Sequence, residues 1–228
     1  MQKCLRAALG GCLLVAAVPA LAYEAGDVIV RVGAATVNPR EDSEQIVLPT
    51  SPSPTVLPGV GVDGDTQLGL GGAYLLTPSL GIELLAATPF EHDVKVQGLG
   101  IEGGSVSHLP PTLSLQWYPR GAAAGWQPYL GIGINYTVFF DEDVSSELKG
   151  ALQATLGASR ADLALENSVG LAGQVGVDIP LNDNLMLNAA VWYIDIDTEA
   201  AIRTDVGTVK FDLDIDPWVY SLGLAWRF

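Results

Sequence analysis

The carboxyl-terminal residues alternate between large apolar side chains and small or polar ones. From Trp218 onward every second residue is large and apolar, ending with Trp226 and Phe228. The intervening positions include Ser221 and Arg227. Alternation with a period of two is typical of a β-strand, whose successive side chains point to opposite faces. One wholly apolar face with aromatic residues at both ends is typical of a strand in a transmembrane barrel.

Similar alternation recurs along the chain between turns. We predict strands at eight ranges: 24–40, 65–76, 80–96, 106–118, 127–141, 168–179, 185–201 and 208–228. Apolar residues make up 49% of the chain, yet no stretch after residue 22 is long and apolar enough for a membrane helix, which needs roughly 18 residues. The apolar surface therefore lies in a soluble core or faces lipid on alternating strands.

The connections between these segments alternate in length. Three are short turns, at 77–79, 119–125 and 180–184, and the long stretches between them lie near 41–64, 91–105, 142–167 and 200–208. We therefore predict an all-β fold, an eight-stranded antiparallel transmembrane β-barrel with short periplasmic turns and long extracellular loops. A soluble barrel would turn the apolar face of each strand inward. The interior of an eight-stranded barrel is too narrow for Leu, Trp or Tyr but fits the small and polar residues of the opposite face. We therefore expect the small and polar face to point inward and the apolar face to meet lipid.

One long connection contains apolar residues at helical spacing. Val144, Leu148, Leu152 and Leu156 predict a short amphipathic helix at 145–158. This helix is interpreted either as a lid over the barrel mouth or as a surface segment packed on itself.

The first residues predict a cleaved signal peptide at 1–22, followed by the barrel domain at 23–228. Lys3 and Arg6 precede an apolar run, and the small residues Ala20 and Ala22 follow it. We therefore expect the chain in the outer membrane of a Gram-negative bacterium. The net charge of −15 argues against a nucleic-acid partner, because such a protein needs a basic surface.

Charged and amide side chains occupy low and middle positions on the inward faces. They are Arg31, Glu83, Gln116, Gln174, Asp178 and Arg227. We expect them to pair among themselves and to form a polar floor inside the barrel, because buried charges persist when they are paired and hydrogen-bonded. A structural core and a path for protons or ions remain as two interpretations.

Higher inward positions are apolar. They are Val37, Leu85, Phe139, Trp192, Ile194 and Val219. Apolar side chains are unexpected in a water-filled pore and suit a hydrophobic ligand. We therefore predict an apolar funnel that opens outward, with simple packing as the alternative.

Prolines interrupt two neighbouring strands at a similar height. Pro89 lies in the third strand, and Pro110 and Pro111 lie in the fourth. Because proline cannot donate to the β-ladder, we predict a lateral gap in the wall through which a hydrophobic molecule passes into the membrane. An ordinary bulge is the alternative.

Other function classes find little support in the sequence. His92 and His108 are the two histidines of the chain, and no recognisable catalytic motif surrounds either, although Asp93 and Ser107 lie nearby. We therefore predict neither an enzyme nor a bound metal or cofactor. A surface receptor or structural protein, whose loops bind phage, toxin or a host surface, stays an alternative.

Several sequence runs identify a family. They are Val30–Pro39, Gly81–Phe90, His108–Thr112 with Gln116–Tyr118, Pro128–Tyr136 and Trp192–Thr198. They resemble the OmpW family of outer-membrane proteins over nearly all of the chain after residue 22, with departures in the loops. The resemblance implies an eight-stranded barrel around a narrow apolar channel that moves small hydrophobic molecules across the outer membrane.

The resemblance and the alternating pattern together imply the partners. The terminal Trp226 and Phe228 resemble the signal that the barrel-insertion machinery reads. We expect a monomer in contact with outer-membrane lipid and a small hydrophobic ligand.

Overall fold

The computed structural model describes residues 22–40, 42–50 and 53–228. The predicted signal peptide therefore lies outside the described residues, apart from Ala22. The elements in chain order are β1 (Val28–Asn38), β2 (Asp42–Ser43), β3 (Ile46–Leu48), β4 (Thr55–Leu57), β5 (Val60–Val62), β6 (Asp65–Thr77), β7 (Leu80–Ala87), β8 (Phe90–Val96), β9 (Ile101–Leu109), β10 (Thr112–Trp117), β11 (Gln127–Val144), α1 (Ser146–Leu156), β12 (Ala161–Leu165), β13 (Ser168–Pro180), β14 (Leu185–Ile194), β15 (Asp197–Thr204), β16 (Gly207–Asp214) and β17 (Trp218–Arg227).

Eight strands form a closed antiparallel barrel, which confirms the predicted architecture. Around the barrel they follow the order β1, β6, β7, β10, β11, β13, β14 and β17. Pairing of β17 with β1 closes the circle, from Ile29 opposite Arg227 to Asn38 opposite Trp218. Because the barrel has no free edge, every strand has a partner on both sides, as a membrane-spanning sheet requires.

The two faces of the barrel differ as the alternation predicts. On β11, Ile132 and Ile134 are 73% and 61% exposed, whereas Asn135 and Thr137 are completely buried. No helix in the described part of the chain is long and apolar enough to cross a membrane. The exposed apolar band lies on the outside of the barrel, where it meets lipid.

Beyond the barrel the chain forms what we call the external cap: β2 to β5, β8, β9, α1, β12, β15 and β16. Strands β9, β8 and β5 continue the barrel sheet, and β12, β15, β16 and β2 form a second sheet. The outward side chains of β8, Glu91, Asp93 and Lys95, are exposed and charged, so β8 lies outside the hydrocarbon layer. The long connections are therefore built largely of strands.

Four predicted strands divide where they enter the cap. The range 80–96 becomes β7 and β8, the range 106–118 lies in β9 and β10, and 185–201 and 208–228 divide in the same way. Pro89, Pro110 and Pro217 lie at three of these breaks. Proline lacks the N–H that a ladder needs, so a strand bends or ends there.

The predicted helix is present as α1, with defined caps at both ends. The Ser145 hydroxyl accepts a hydrogen bond from the Leu148 backbone N–H at 3.0 Å, which satisfies one of the free donors of the first turn. Gly157 ends the helix with φ 74°, a conformation that glycine adopts without steric cost. Leu148 and Leu152 are buried beneath the helix, so α1 covers the apolar centre of the cap.

Candidate functional site

A cluster of charged side chains centred on Arg31 crosses the lower barrel interior. Arg31 Nη1 lies 2.7 Å from Glu83 Oε1, and Nη2 lies 2.6 Å from Asp178 Oδ2. Nη2 also donates to the Tyr118 hydroxyl at 3.1 Å, and the guanidinium lies 4.7 Å from the centre of the Tyr129 ring. The three charged groups are buried, so water screens their attraction less than at a surface.

Two glutamines join this cluster through Glu83. Gln116 Nε2 and Gln174 Nε2 donate to Glu83 Oε2 at 2.7 and 3.0 Å. The structure thus brings together five of the six predicted residues in one connected network, which we call the polar floor: Arg31, Glu83, Gln116, Gln174 and Asp178. The network links β1 with β7, β10 and β13 across the barrel interior.

Arg227 does not join the polar floor, which corrects the expectation for this residue. Its Nη1 donates to the carbonyl of Ala22 at 2.7 Å, and its Nη2 donates to the carbonyl of Asp183 at 3.3 Å. Asp27 lies 3.8 Å away. In the barrel register Arg227 is opposite Ile29, one inward position below Arg31, so its side chain reaches the periplasmic rim.

Three tyrosines lie beside the polar floor, which corrects the expectation that Tyr is too large for the interior. Tyr23, Tyr118 and Tyr129 are all buried. Tyr129 lies opposite Gly176, and a Cβ atom on that glycine would lie 2.3 Å from Tyr129 Cζ. A missing side chain on the neighbouring strand therefore makes room for a large ring. Glycine directly across the ladder is the sequence signal that was overlooked.

Asn188 is a further member that sequence reasoning missed. Its Nδ2 donates to Asp178 Oδ1 at 2.8 Å and to the Tyr129 hydroxyl at 2.9 Å. The Tyr23 hydroxyl also donates to Asp178, at 2.8 Å. Asp178 thus receives hydrogen bonds as well as an ion pair, which is what a buried carboxylate requires.

The six predicted apolar side chains all point inward above the polar floor. Val37 lies opposite Val219, and Val219 lies opposite Trp192, so these three are in register on neighbouring strands. With Leu85, Trp192 and Val219 line a cavity of about 40 Å³ above the floor. A benzene-sized molecule occupies a cavity of about 150 Å³, so this cavity is too small to hold one.

The other two apolar residues lie nearer the cap. Ile194 and Phe139 are buried, and the Phe139 ring lies 5.9 Å from that of His108. The His108 ring stacks against Phe90 and His92, with ring centres 5.5 and 4.8 Å away. Four inward-pointing rings therefore cluster where the barrel meets the cap, one on β11 and three on β8 and β9.

The surroundings of the two histidines in this stack disfavour the charged imidazolium. Burial and the neighbouring His92 lower the pKa of His108 to about 3, and burial lowers the pKa of His92. Within the described chain His108 Nε2 has no hydrogen-bond partner. Asp93 and Ser107 are adjacent in sequence to these histidines, so they point to the opposite faces of β8 and β9. The arrangement therefore offers neither histidine a nucleophile from these neighbours.

The wall between the third and fourth barrel strands is interrupted. Pairing of β7 with β10 ends at Leu85, and pairing of β8 with β9 begins at Phe90. Residues 86–89 and 109–111 separate these pairs, and we call this region the wall gap. The wall gap contains the three predicted prolines, Pro89, Pro110 and Pro111.

Backbone groups at the wall gap bond away from it. The Thr88 N–H donates to the Leu68 carbonyl at 2.9 Å, and the Pro111 carbonyl accepts from the Tyr136 N–H at 3.0 Å. The buried Asn135 side chain donates to the Pro110 carbonyl at 3.1 Å and to the Pro111 carbonyl at 3.3 Å. Each side of the wall gap therefore bonds to the barrel strand on its far side, β6 or β11. The strand pairing of the described residues gives no bonds between the two sides.

The terminal aromatic residues lie on the lipid-facing side. Trp226 and Phe228 are exposed, and the Phe228 N–H donates to the Val28 carbonyl at 2.9 Å. The last residue is therefore fixed to β1 while its ring stays accessible. Recognition of these rings by the barrel-insertion machinery stays a prediction.

A closed eight-stranded barrel with an apolar exterior and a filled interior defines an integral outer-membrane β-barrel protein. The profile of the OmpW family matches residues 24–228. The chain belongs to the OmpW family, as the resemblance in the sequence indicated.

Known relatives place the chain in the outer membrane of Gram-negative bacteria. Outer membrane protein W of Escherichia coli K12 is 41% identical over 92% of this chain and 92% of its own length. The crystal structure of the outer membrane protein OprG from Pseudomonas aeruginosa is 44% identical, with a TM-score of 0.79 over 90% of this chain and 97% of that chain.

A second structure shows the shared fold in lipid. The solid-state NMR structure of outer membrane protein AlkL in DMPC bilayers has a TM-score of 0.66 at 22% identity, and covers 100% of this chain and 97% of that chain. These relatives are named as membrane proteins and not as enzymes. This chain shares the eight-stranded barrel fold of these outer-membrane proteins.

Proposed function

We propose that this barrel carries small hydrophobic molecules from outside into the outer membrane. A molecule enters the apolar interior from the external side, stops above the polar floor and leaves sideways through the wall gap. The observation that carries the proposal is the position of the wall gap, which lies on the external side of a closed floor. Leu85, at the lower edge of the gap, is also one inward position above Glu83 of the floor.

The polar floor opposes passage straight through the barrel. A hydrocarbon crossing it would separate Arg31 from Glu83 and Asp178, and breaking a buried ion pair costs about 3–5 kcal/mol. The hydrocarbon would offer those groups no hydrogen bonds in return. The floor therefore favours an exit above it.

The wall gap opposes lateral passage much less. Each backbone hydrogen bond that must open adds about 1 kcal/mol, and the wall gap has no ladder pairing between residues 86–89 and 109–111. Ala86 and Ala87 have small side chains, so they leave space beside the gap. Lateral release therefore has the lower barrier.

Uptake in cells tests this proposal. Bacteria that produce the protein should take up radiolabelled p-xylene several-fold faster than matched cells without it. Vesicles containing the purified barrel should show no faster influx of a small sugar, because the polar floor excludes hydrated solutes. Equal p-xylene uptake in both strains would contradict transport and would favour the alternative, a surface receptor or structural protein.

A further inference from the structure

A polar cleft opens on the surface of the external cap, between α1 and the segment that leads from it into β12. It has a volume of about 490 Å³, which lies in the usual range for sites that bind small molecules, and we call it the cap cleft. Helix α1 contributes Ser146, Lys149 and Gln153 to its wall, and the following segment contributes Arg160 and Asp162. The cap cleft therefore combines charged and hydrogen-bonding side chains.

Two cations line the cap cleft, although the protein is strongly acidic. The chain has a net charge of −15, and Lys95 and Lys210 of the cap each pair with a carboxylate. Among the ion pairs of the described residues, none includes Lys149 or Arg160. These two charges can therefore bind an anion from solution.

Hydrogen bonds to Asp205 hold the backbone of this segment in place. One oxygen, Oδ1, accepts from the N–H groups of Ser159 at 2.9 Å and Arg160 at 3.3 Å. The Ser159 hydroxyl donates to the other oxygen. The carboxylate thus anchors the backbone that carries Arg160, while the guanidinium stays outside any ion pair of the described chain.

Helix α1 leaves space for a ligand at Gly150. Glycine in the middle of a helix is less stable than alanine, yet a Cβ atom added here would meet no other atom within 4 Å. Packing within the protein therefore does not require glycine at this position. Gly150 lines the cap cleft, so its missing side chain makes the cleft wider.

The mixture of groups indicates the class of ligand. Two unpaired cations suit a phosphate monoester, which carries about −1.5 to −2 charges at pH 7. Asp162 and Gln153 accept hydrogen bonds from hydroxyl groups, and the charge of Asp162 would repel a second anionic group. The ligand that fits is one phosphate group on a neutral molecule rich in hydroxyl groups.

We propose that the cap cleft binds a phosphorylated sugar. Lys149 and Arg160 hold the phosphate, and Asp162 and Gln153 accept hydrogen bonds from the sugar hydroxyls. A free sugar phosphate and a phosphorylated glycolipid of the surrounding membrane share this chemistry. The site does not depend on hydrocarbon transport, so either proposal can fail without the other.

Alanine methyl groups report on binding directly. The full mature chain would be placed in phosphatidylcholine nanodiscs with 13C-labelled alanine methyls and titrated with glucose 6-phosphate. Ala158 and Ala161 line the cap cleft, whereas Ala189 lies opposite the lipid-facing Leu222. We expect saturable shifts at the first two methyls and none at Ala189. Glucose should produce no saturable shift, and inorganic phosphate should bind about ten-fold more weakly than glucose 6-phosphate.

Charge substitutions locate the phosphate. Lys149→Gln and Arg160→Gln should each weaken binding of glucose 6-phosphate about ten-fold, because each removes a charge-assisted hydrogen bond. Lys210→Gln removes the same charge from another part of the cap and should leave the affinity unchanged. No saturable shift in the original protein, or equal weakening in all three variants, would overturn the site.

A second pair of substitutions tests the shape of the cap cleft. Gly150→Leu places a side chain in the cleft and should abolish the saturable shifts. Ala154→Leu places the same side chain on the exposed surface of α1 and should leave them unchanged. Equal binding in these two variants would contradict a ligand in the cleft.

Nanodiscs that contain lipopolysaccharide identify the source of the sugar. If the glycolipid supplies it, the Ala158 and Ala161 methyls shift on reconstitution and glucose 6-phosphate adds nothing further. If these methyls stay at their phosphatidylcholine positions and still respond to glucose 6-phosphate, the ligand is a free sugar phosphate.

Discussion

Replacing Arg31 with methionine is expected to lower the free energy of unfolding by about 3–5 kcal/mol. Glu83 and Asp178 would stay buried after the change, and neither would have a cation beside it. Arg31 bonds to both carboxylates at 2.7 and 2.6 Å, so one substitution removes two ion pairs. The loss is the cost of two unpaired buried charges and is larger than the net contribution of either pair.

Urea titration of the barrel in phospholipid vesicles, followed by tryptophan fluorescence, measures this loss. Arg227→Met is the matched control, because Arg227 bonds to carbonyl groups at the periplasmic rim and should cost much less. Combining Arg31→Met with Glu83→Gln and Asp178→Asn removes the unpaired charges and should recover much of the stability. Equal losses for the two arginines would show that the polar floor is not a paired network.

Closing the wall gap is expected to slow hydrocarbon uptake about 30-fold. Changing Pro89, Pro110 and Pro111 to valine supplies two N–H donors that face the gap, at positions 89 and 110, because the backbone of residue 111 bonds to β11. Two restored hydrogen bonds of about 1 kcal/mol each would raise the barrier to lateral passage by about 2 kcal/mol, which corresponds to that factor in rate.

A control for the proline changes exists in the same barrel. Pro128 and Pro180 lie in β11 and β13 near the periplasmic end, and Pro128 is opposite Val177. Changing both to valine also adds N–H donors but leaves the wall gap open, so uptake should stay at the original rate. Uptake that is unchanged in the triple variant, once its folding in the membrane is verified, would rule out the gap as the exit.

The barrel was predictable because lipid imposes a strict rule on each strand. In β11 and β17 every second residue must be apolar, and the interior positions must be small or paired, so the period-two pattern is unbroken. The prolines at the wall gap were also visible, because proline has a single effect on a ladder: it removes a donor. Such local rules can be read from one sequence.

Features that depend on contacts between distant strands were not predictable. The tyrosines of the floor fit because glycines such as Gly176 lie across the ladder, and this match depends on the register of two strands. Arg227 was placed one inward position too high for the same reason. The position of α1 depends on its packing against β9, and no local pattern specifies that arrangement.

The exit route is the central claim, and photolabelling tests it most directly. Cells producing the protein would be loaded with a phenyl trifluoromethyl diazirine, irradiated, and the labelled residues identified by mass spectrometry. Inward residues above the polar floor, Leu85, Ala87 and Trp192, should be labelled. Inward residues below it, Gln127 and Met186, should not. Label on Gln127 and Met186 would show that the molecule crosses the floor and would contradict lateral release.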